Sequence, residues 1–83
     1  MPRQTHPIDN RNAKLRWAVL ETLYLAREEM PFNGWMSLHD LKQVHGSVGF
    51  ALDILAEIGY ITKSSFSVRI TGMGVLAVED GSV

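Results

Sequence analysis

The sequence predicts a mainly α-helical domain with a small antiparallel β-hairpin, in the order α-β-α-α-β-β-α. Three observations carry this. An apolar pattern of helical period, through Leu52 and Leu55, stops at Gly59. A short alternating segment follows, with Ile61, Phe66, Val68 and Ile70 on either side of Ser64-Ser65. Thr71 then offers a capping hydroxyl where Met73, Val75, Leu76, Ala77 and Val78 restart a helix. At 83 residues the chain is one domain, near the lower limit for burying a core without staples.

Residues 1–10 hold Pro2, Pro7 and few apolar side chains, and read as a flexible basic arm. The first helix is expected from about Arg11 to Met30. Asp9 or Asn10 would cap it, no Gly or Pro interrupts it, and Pro31 ends it. At 100° per residue, Leu15, Val19, Leu23, Ala26 and Met30 share one sector, which is assigned to the core. Trp17, Leu20 and Tyr24 cluster on roughly the opposite side, leaving Lys14, Glu21 and Glu28 in a narrow polar strip. A helix with two apolar faces needs two partners.

Pro31-Phe32-Asn33-Gly34 reads as a turn, and Trp35-Met36 as a very short strand. Ser37-Leu38-His39-Asp40 has the form of a capping-box variant opening a helix from Leu38 to about Val44, with Gly46 as the stop. Ser47 is the expected N-cap of a third helix reaching about Ile58. It would bury Val48, Ala51, Leu52 and Leu55, and turn Gly49, Phe50, Asp53, Ile54 and Glu57 outward. Gly59 ends it. The hairpin strands are Tyr60–Lys63 and Phe66–Thr71, although Ser64-Ser65 lacks the positive-φ residues that tight two-residue turns favour. The last helix runs from Thr71 and frays before Gly81, so the domain covers residues 11–80, with a tail at 81–83.

Composition narrows the functional classes. Hydrophobic residues are 46% and charged residues 20% of the chain, values typical of folded domains. Cysteine is absent, which excludes a disulfide framework, a thiol nucleophile and a cysteine-based zinc site. A core of this size supplies only about 3–5 kcal/mol, which makes a homodimer an expectation. No segment approaches the ~20 apolar residues of a membrane span, and the opening Met1-Pro2-Arg3-Gln4-Thr5-His6-Pro7 has no signal-peptide core, so a cytoplasmic location away from membranes is expected. His6, His39 and His45 form no metal motif, Ser64 and Ser65 lie beside no His-Asp constellation, and Gly72-Met73-Gly74 is too short to cradle a phosphate. The expectation is a non-catalytic protein without metal or cofactor.

The second helix, the His45-Gly46 turn and the third helix form a helix-turn-helix unit. Residues 11–80 resemble a winged helix-turn-helix domain of bacterial and phage regulators. The resemblance rests on Ser37-Leu38-His39-Asp40-Leu41, on Leu52-x-x-Leu55-x-x-x-Gly59-Tyr60-Ile61 and on Ile70-Thr71-x-x-Gly74. Arg16-Trp17-Ala18-Val19-Leu20-Glu21-Thr22-Leu23 and the stretch Ile70–Gly81 also look like small uncharacterised proteins of Mu-like prophages. What the first resemblance implies is a DNA-binding transcriptional regulator, with the hairpin as wing and the third helix in the recognition position; the second implies a phage-derived origin without an activity.

The charge distribution divides the candidates. Formal net charge is −1, but Arg3, Arg11, Lys14 and Arg16 face only Asp9 in residues 1–16. The phosphate-contact candidates are Arg11 and Lys14 near the arm, Lys42, Gln43, His45 and Ser47 around the helix-turn-helix, and Lys63, Ser65 and Arg69 on the wing. The third helix carries Asp53 and Glu57 and no Lys or Arg, so a competing reading gives its Phe50, Asp53, Ile54 and Glu57 to a protein partner. For Trp17, Leu20, Tyr24 and Leu76 two readings stand side by side: intramolecular cover by the last helix, or a twofold dimer interface. The sequence names no operator, effector or partner.

Overall fold

The computed structural model describes residues 7–30 and 33–81, with side-chain surroundings from Arg11 onward. The element order is α1 (Pro7–Glu29), β1 (Met36–Ser37), α2 (Leu38–His45), α3 (Gly49–Glu57), β2 (Ile61–Lys63), β3 (Ser67–Ile70) and α4 (Gly72–Asp80). The architecture is mainly helical, with one three-stranded antiparallel sheet in the order β1-β3-β2.

The first helix begins earlier than its caps suggested. Pro7, the first described residue, already belongs to it. Asp9 and Asn10 therefore lie inside α1 and do not precede it. Of the expected arm at residues 1–10, residues 7–10 belong to α1; residues 1–6, the Pro31-Phe32 half of the turn and the last two tail residues lie outside the described residues.

α1 packs against α2, α3, α4 and β3, and this surrounds it more completely than a single stripe would allow. Val19, Leu20 and Leu23 are fully buried, while Leu15 and Tyr24 are partly buried against the same core. The expected stripe is thus rotated toward Leu20, and Met30, at its far end, is exposed. Both apolar faces of the helix find cover within the chain. Leu20 cannot belong to a dimer interface, because no part of it reaches the surface.

α2 starts as expected: the Asp40 N–H donates to Ser37 Oγ at 3.0 Å, and Gly46 closes the helix. α3 differs at its start. Its N-cap is Val48, without a side-chain hydrogen bond, and Ser47 stays exposed one residue outside. Val48 is buried in the core, so its apolar side chain fixes the start of α3 where a capping hydroxyl was expected. Ala51, Leu52 and Leu55 complete the buried side of α3.

The hairpin pairs Ile61 with Ile70, Thr62 with Arg69 and Lys63 with Val68; on the other edge Met36 pairs with Val68 and Ser37 with Ser67. Phe66 does not join β3. It sits in a three-residue loop, Ser64–Phe66, 79% exposed, while Ser64 N–H donates to Ser67 O at 2.8 Å across the loop. No residue other than glycine has a positive φ here, so the Ser-Ser pair does not make the tight two-residue turn and the loop takes one residue more. The Phe66 carbonyl accepts the Leu38 N–H at 2.8 Å, which ties the hairpin tip to the start of α2.

A junction of four hydrogen bonds joins α3 to α4. Beyond α3, Gly59 turns the chain with φ of 86°, a backbone state other L-residues rarely adopt, and Tyr60 N–H returns to Leu55 O at 2.9 Å. Thr71 N–H donates to Tyr60 O at 2.9 Å, and the Thr71 hydroxyl donates to Gly59 O at 2.7 Å while accepting the Gly74 N–H at 3.1 Å. Gly74 lies directly against the Tyr60 carbonyl, and a β-carbon there would overlap that oxygen and the Ile70 side chain. Gly74→Ala is expected to destabilise the fold by about 1–3 kcal/mol through overpacking. Thermal unfolding followed by circular dichroism should show a drop of roughly 4–8 °C for each kcal/mol; an unchanged midpoint would mean that α4 does not sit this close.

Candidate interaction surface

The candidate phosphate contacts do not share one fate. Arg11 and Lys14 are exposed on the first half of α1; Lys42 and Gln43 are exposed on α2, Ser47 in the turn after it, and Lys63 and Ser65 at the hairpin. Hairpin and α2 are neighbours through the Leu38–Phe66 hydrogen bond, so Lys42 stands one turn along the helix from the hairpin tip.

Two of the candidates are half-buried. His45 is half-buried, with Nε2 2.7 Å from Thr22 Oγ1, and Thr22 Oγ1 in turn donates to Ala18 O at 3.0 Å. His45 thereby fastens the end of α2 to the middle of α1. Arg69 lies in the central strand, on the face opposite Val68 and Ile70 and directly across from Thr62. It is half-buried, and its Nε is enclosed without an acceptor among the described residues. Both are covered in part, whereas the other candidates are exposed.

The α1–α4 side is held by polar contacts over an apolar floor. Arg27 Nη1 donates to the Ile70 carbonyl at 2.9 Å, where β3 ends, and the Tyr24 hydroxyl donates to Glu79 Oε2 at 3.0 Å. A groove between the two helices is lined by Tyr24, Arg27, Glu28, Val75, Leu76 and Glu79. Of the four residues considered for a dimer, Trp17 and Tyr24 are half-buried, Leu76 is 60% exposed and Leu20 is internal. The intramolecular reading accounts for Leu20 in full.

The most distinctive surface is the outer side of α3. Phe50 is 60% exposed, Asp53 and Glu57 are exposed, and Ile54 is half-buried. Helical spacing sorts these into two adjacent rows: Phe50, Ile54 and Ile58 four residues apart, and Asp53 and Glu57 four apart beside them. Ile58, just beyond the helix, is also exposed, as is Val44 on α2. Sequence periodicity identified Phe50, Asp53, Ile54 and Glu57 as outward. It did not identify Val44 and Ile58, whose exposure depends on how α2 and the Gly59 turn sit against the body. Because α3 has its opposite side committed to the core, these rows are held in one orientation.

No family model, no curated protein and no solved structure matches the chain. The surface is therefore interpreted from its own chemistry. Among the described residues no helix is long and apolar enough to cross a membrane, and no group of histidine and carboxylate side chains is placed to hold a metal ion.

The Tyr24–Glu79 contact gives the α1–α4 clasp a signature that titration can read. The hydrogen bond to the Glu79 carboxylate, with desolvation and the negative charges of Glu79 and Glu28, raises the Tyr24 phenol above its ordinary 10.0. A phenol whose proton is held more tightly in the folded state stabilises the fold below the unfolded-state value, and this contribution is lost as pH rises through the folded-state value. Ultraviolet titration of wild type and Glu79→Gln should show one tyrosine shifting down in the variant. Superimposable curves would break the assignment.

Proposed function

We propose that this chain is a non-catalytic binding module on a winged helix-turn-helix scaffold, and that the outer face of α3 meets a protein. The scaffold reading is supported by the element order, the short α2-turn-α3 unit and the three-stranded sheet closed by a hairpin. Fold alone assigns no partner, since one scaffold serves several functions. The observation that carries the protein reading is the pairing of Phe50 and Ile54 with Asp53 and Glu57 on a helix that has no cation.

Affinity for duplex DNA rests heavily on neutralising phosphates, and base edges in the major groove are read chiefly by Arg, Lys, Asn and Gln. α3 offers two carboxylates and large apolar side chains to that groove. Burying those carboxylates beside phosphates would cost free energy, and Phe50 has no hydrogen bond to give. Against a protein the same groups are complementary parts: apolar anchors with a charged border.

A second reading is favoured by one specific observation. Lys42, Lys63, Ser47 and Ser65 are all exposed around α2 and the hairpin, where backbone phosphates of a DNA duplex would run past a winged helix. On that reading the chain is a DNA-binding transcriptional regulator, of the phage-like kind the sequence resembles, and two copies would pair through Tyr24 and Leu76.

One set of variants separates the two. In a two-hybrid screen against a genomic library of the source organism, Phe50→Ser with Ile54→Ser should lose the partners found by wild type while far-UV circular dichroism stays unchanged, and Lys42→Glu with Lys63→Glu should keep them. Partners retained by the α3 variant would refute the protein reading. Mobility shift of mixed genomic fragments by wild type, abolished in the lysine variant, would establish the DNA reading in its place.

A further inference from the structure

Resting on the assignment of α3 to a protein partner, the geometry points to the kind of segment it takes: an amphipathic α-helix whose apolar stripe is bordered on one side by Lys and Arg. Phe50, Ile54 and Ile58 form one ridge along α3, and Asp53 with Glu57 forms the next. Both ridges follow i to i+4 spacing, and ridges of this kind accept the ridges of a second helix laid across them. α3 offers no unpaired strand edge to an extended peptide; what it presents is a two-turn helical surface.

Charge decides which helices fit. The apolar ridge gives area but no direction, whereas the carboxylates lie on one side of it only. An acidic helix brings like charges together, and a helix with purely apolar flanks strips water from Asp53 and Glu57 without replacing it. A basic flank on the matching side satisfies both carboxylates and fixes the orientation in which the helix lies. The same logic rejects a second α3 as occupant, since α3 supplies acidic and apolar groups but no cation to pair with the carboxylates. It also separates this surface from nucleic acid, whose charge has the wrong sign.

The probe is a phage-displayed library of single-helix peptides with apolar residues fixed at i, i+4 and i+8 and all flanking positions randomised. Selection on the full chain should enrich Lys and Arg on one flank of the stripe. A synthetic peptide of the enriched sequence should bind wild type at least tenfold more tightly than Asp53→Lys with Glu57→Lys, and binding should weaken as salt rises. Both acidic residues are exposed, so the reversals are expected to leave the circular dichroism spectrum and the melting midpoint in place. Failure to enrich any peptide, enrichment without a basic flank, or equal binding by the charge-reversed variant each overturns the inference. If peptides without a basic flank still require Phe50 and Ile54, α3 remains the docking face and only the partner's charge is wrong. If selected peptides ignore Phe50→Ser with Ile54→Ser as well, the α3 reading fails too.

Discussion

The Thr71 hydroxyl is the contact on which the arrangement depends. It donates to the Gly59 carbonyl at the end of α3, twelve residues back in sequence, and accepts the Gly74 N–H at the start of α4. Gly59 must reverse the chain with a positive φ, and Gly74 must lie against the Tyr60 carbonyl for the bridge to close. Once closed, the bridge sets the hairpin between two helix ends and fixes how α3 lies on the core. Val48, Ala51, Leu52 and Leu55 hold the other face of the same helix. The orientation of Phe50, Asp53, Ile54 and Glu57 follows from these contacts.

The remaining polar contacts do similar work at a distance. Arg27 reaches the Ile70 carbonyl where β3 gives way to α4, His45 meets Thr22 across α1 and α2, and Tyr24 meets Glu79 across α1 and α4. Each joins α1 to a different later element. α1 is therefore the spine of the molecule, with apolar contact from four elements and polar ties to three of them. This distribution suits a chain with no cysteine and a small core, where single ties of ~1 kcal/mol are a sizeable share of the whole.

What could be learned from sequence was local. Ser37 and Thr71 announced their helices because a capping hydroxyl acts within one turn, and Gly46 and Gly59 marked helix ends for equally local reasons. The buried side of α3 followed from helical period alone. The side on which Leu20 would lie did not, since it depends on α4, β3 and α3 closing around α1. Likewise the partial cover of His45 needs Thr22, and that of Arg69 needs a sheet around it. Residue type marks both as phosphate contacts, and their tertiary neighbours leave both half-buried. Phe66 differs for a subtler reason: an aromatic residue favours a strand, but the loop after Ser64-Ser65 takes one residue more and leaves Phe66 outside β3.

On the proposed reading, Asp53 and Glu57 turn α3 away from DNA while its apolar row remains available to a protein. The most direct measurement is a fluorescence-anisotropy titration of a labelled random duplex at low salt, using wild type and Asp53→Lys with Glu57→Lys. Wild type is expected to show no saturable binding, and measurable, salt-sensitive binding is expected once the two carboxylates become cations. Tight binding by wild type that falls steeply with salt, and does not improve in the variant, would contradict it.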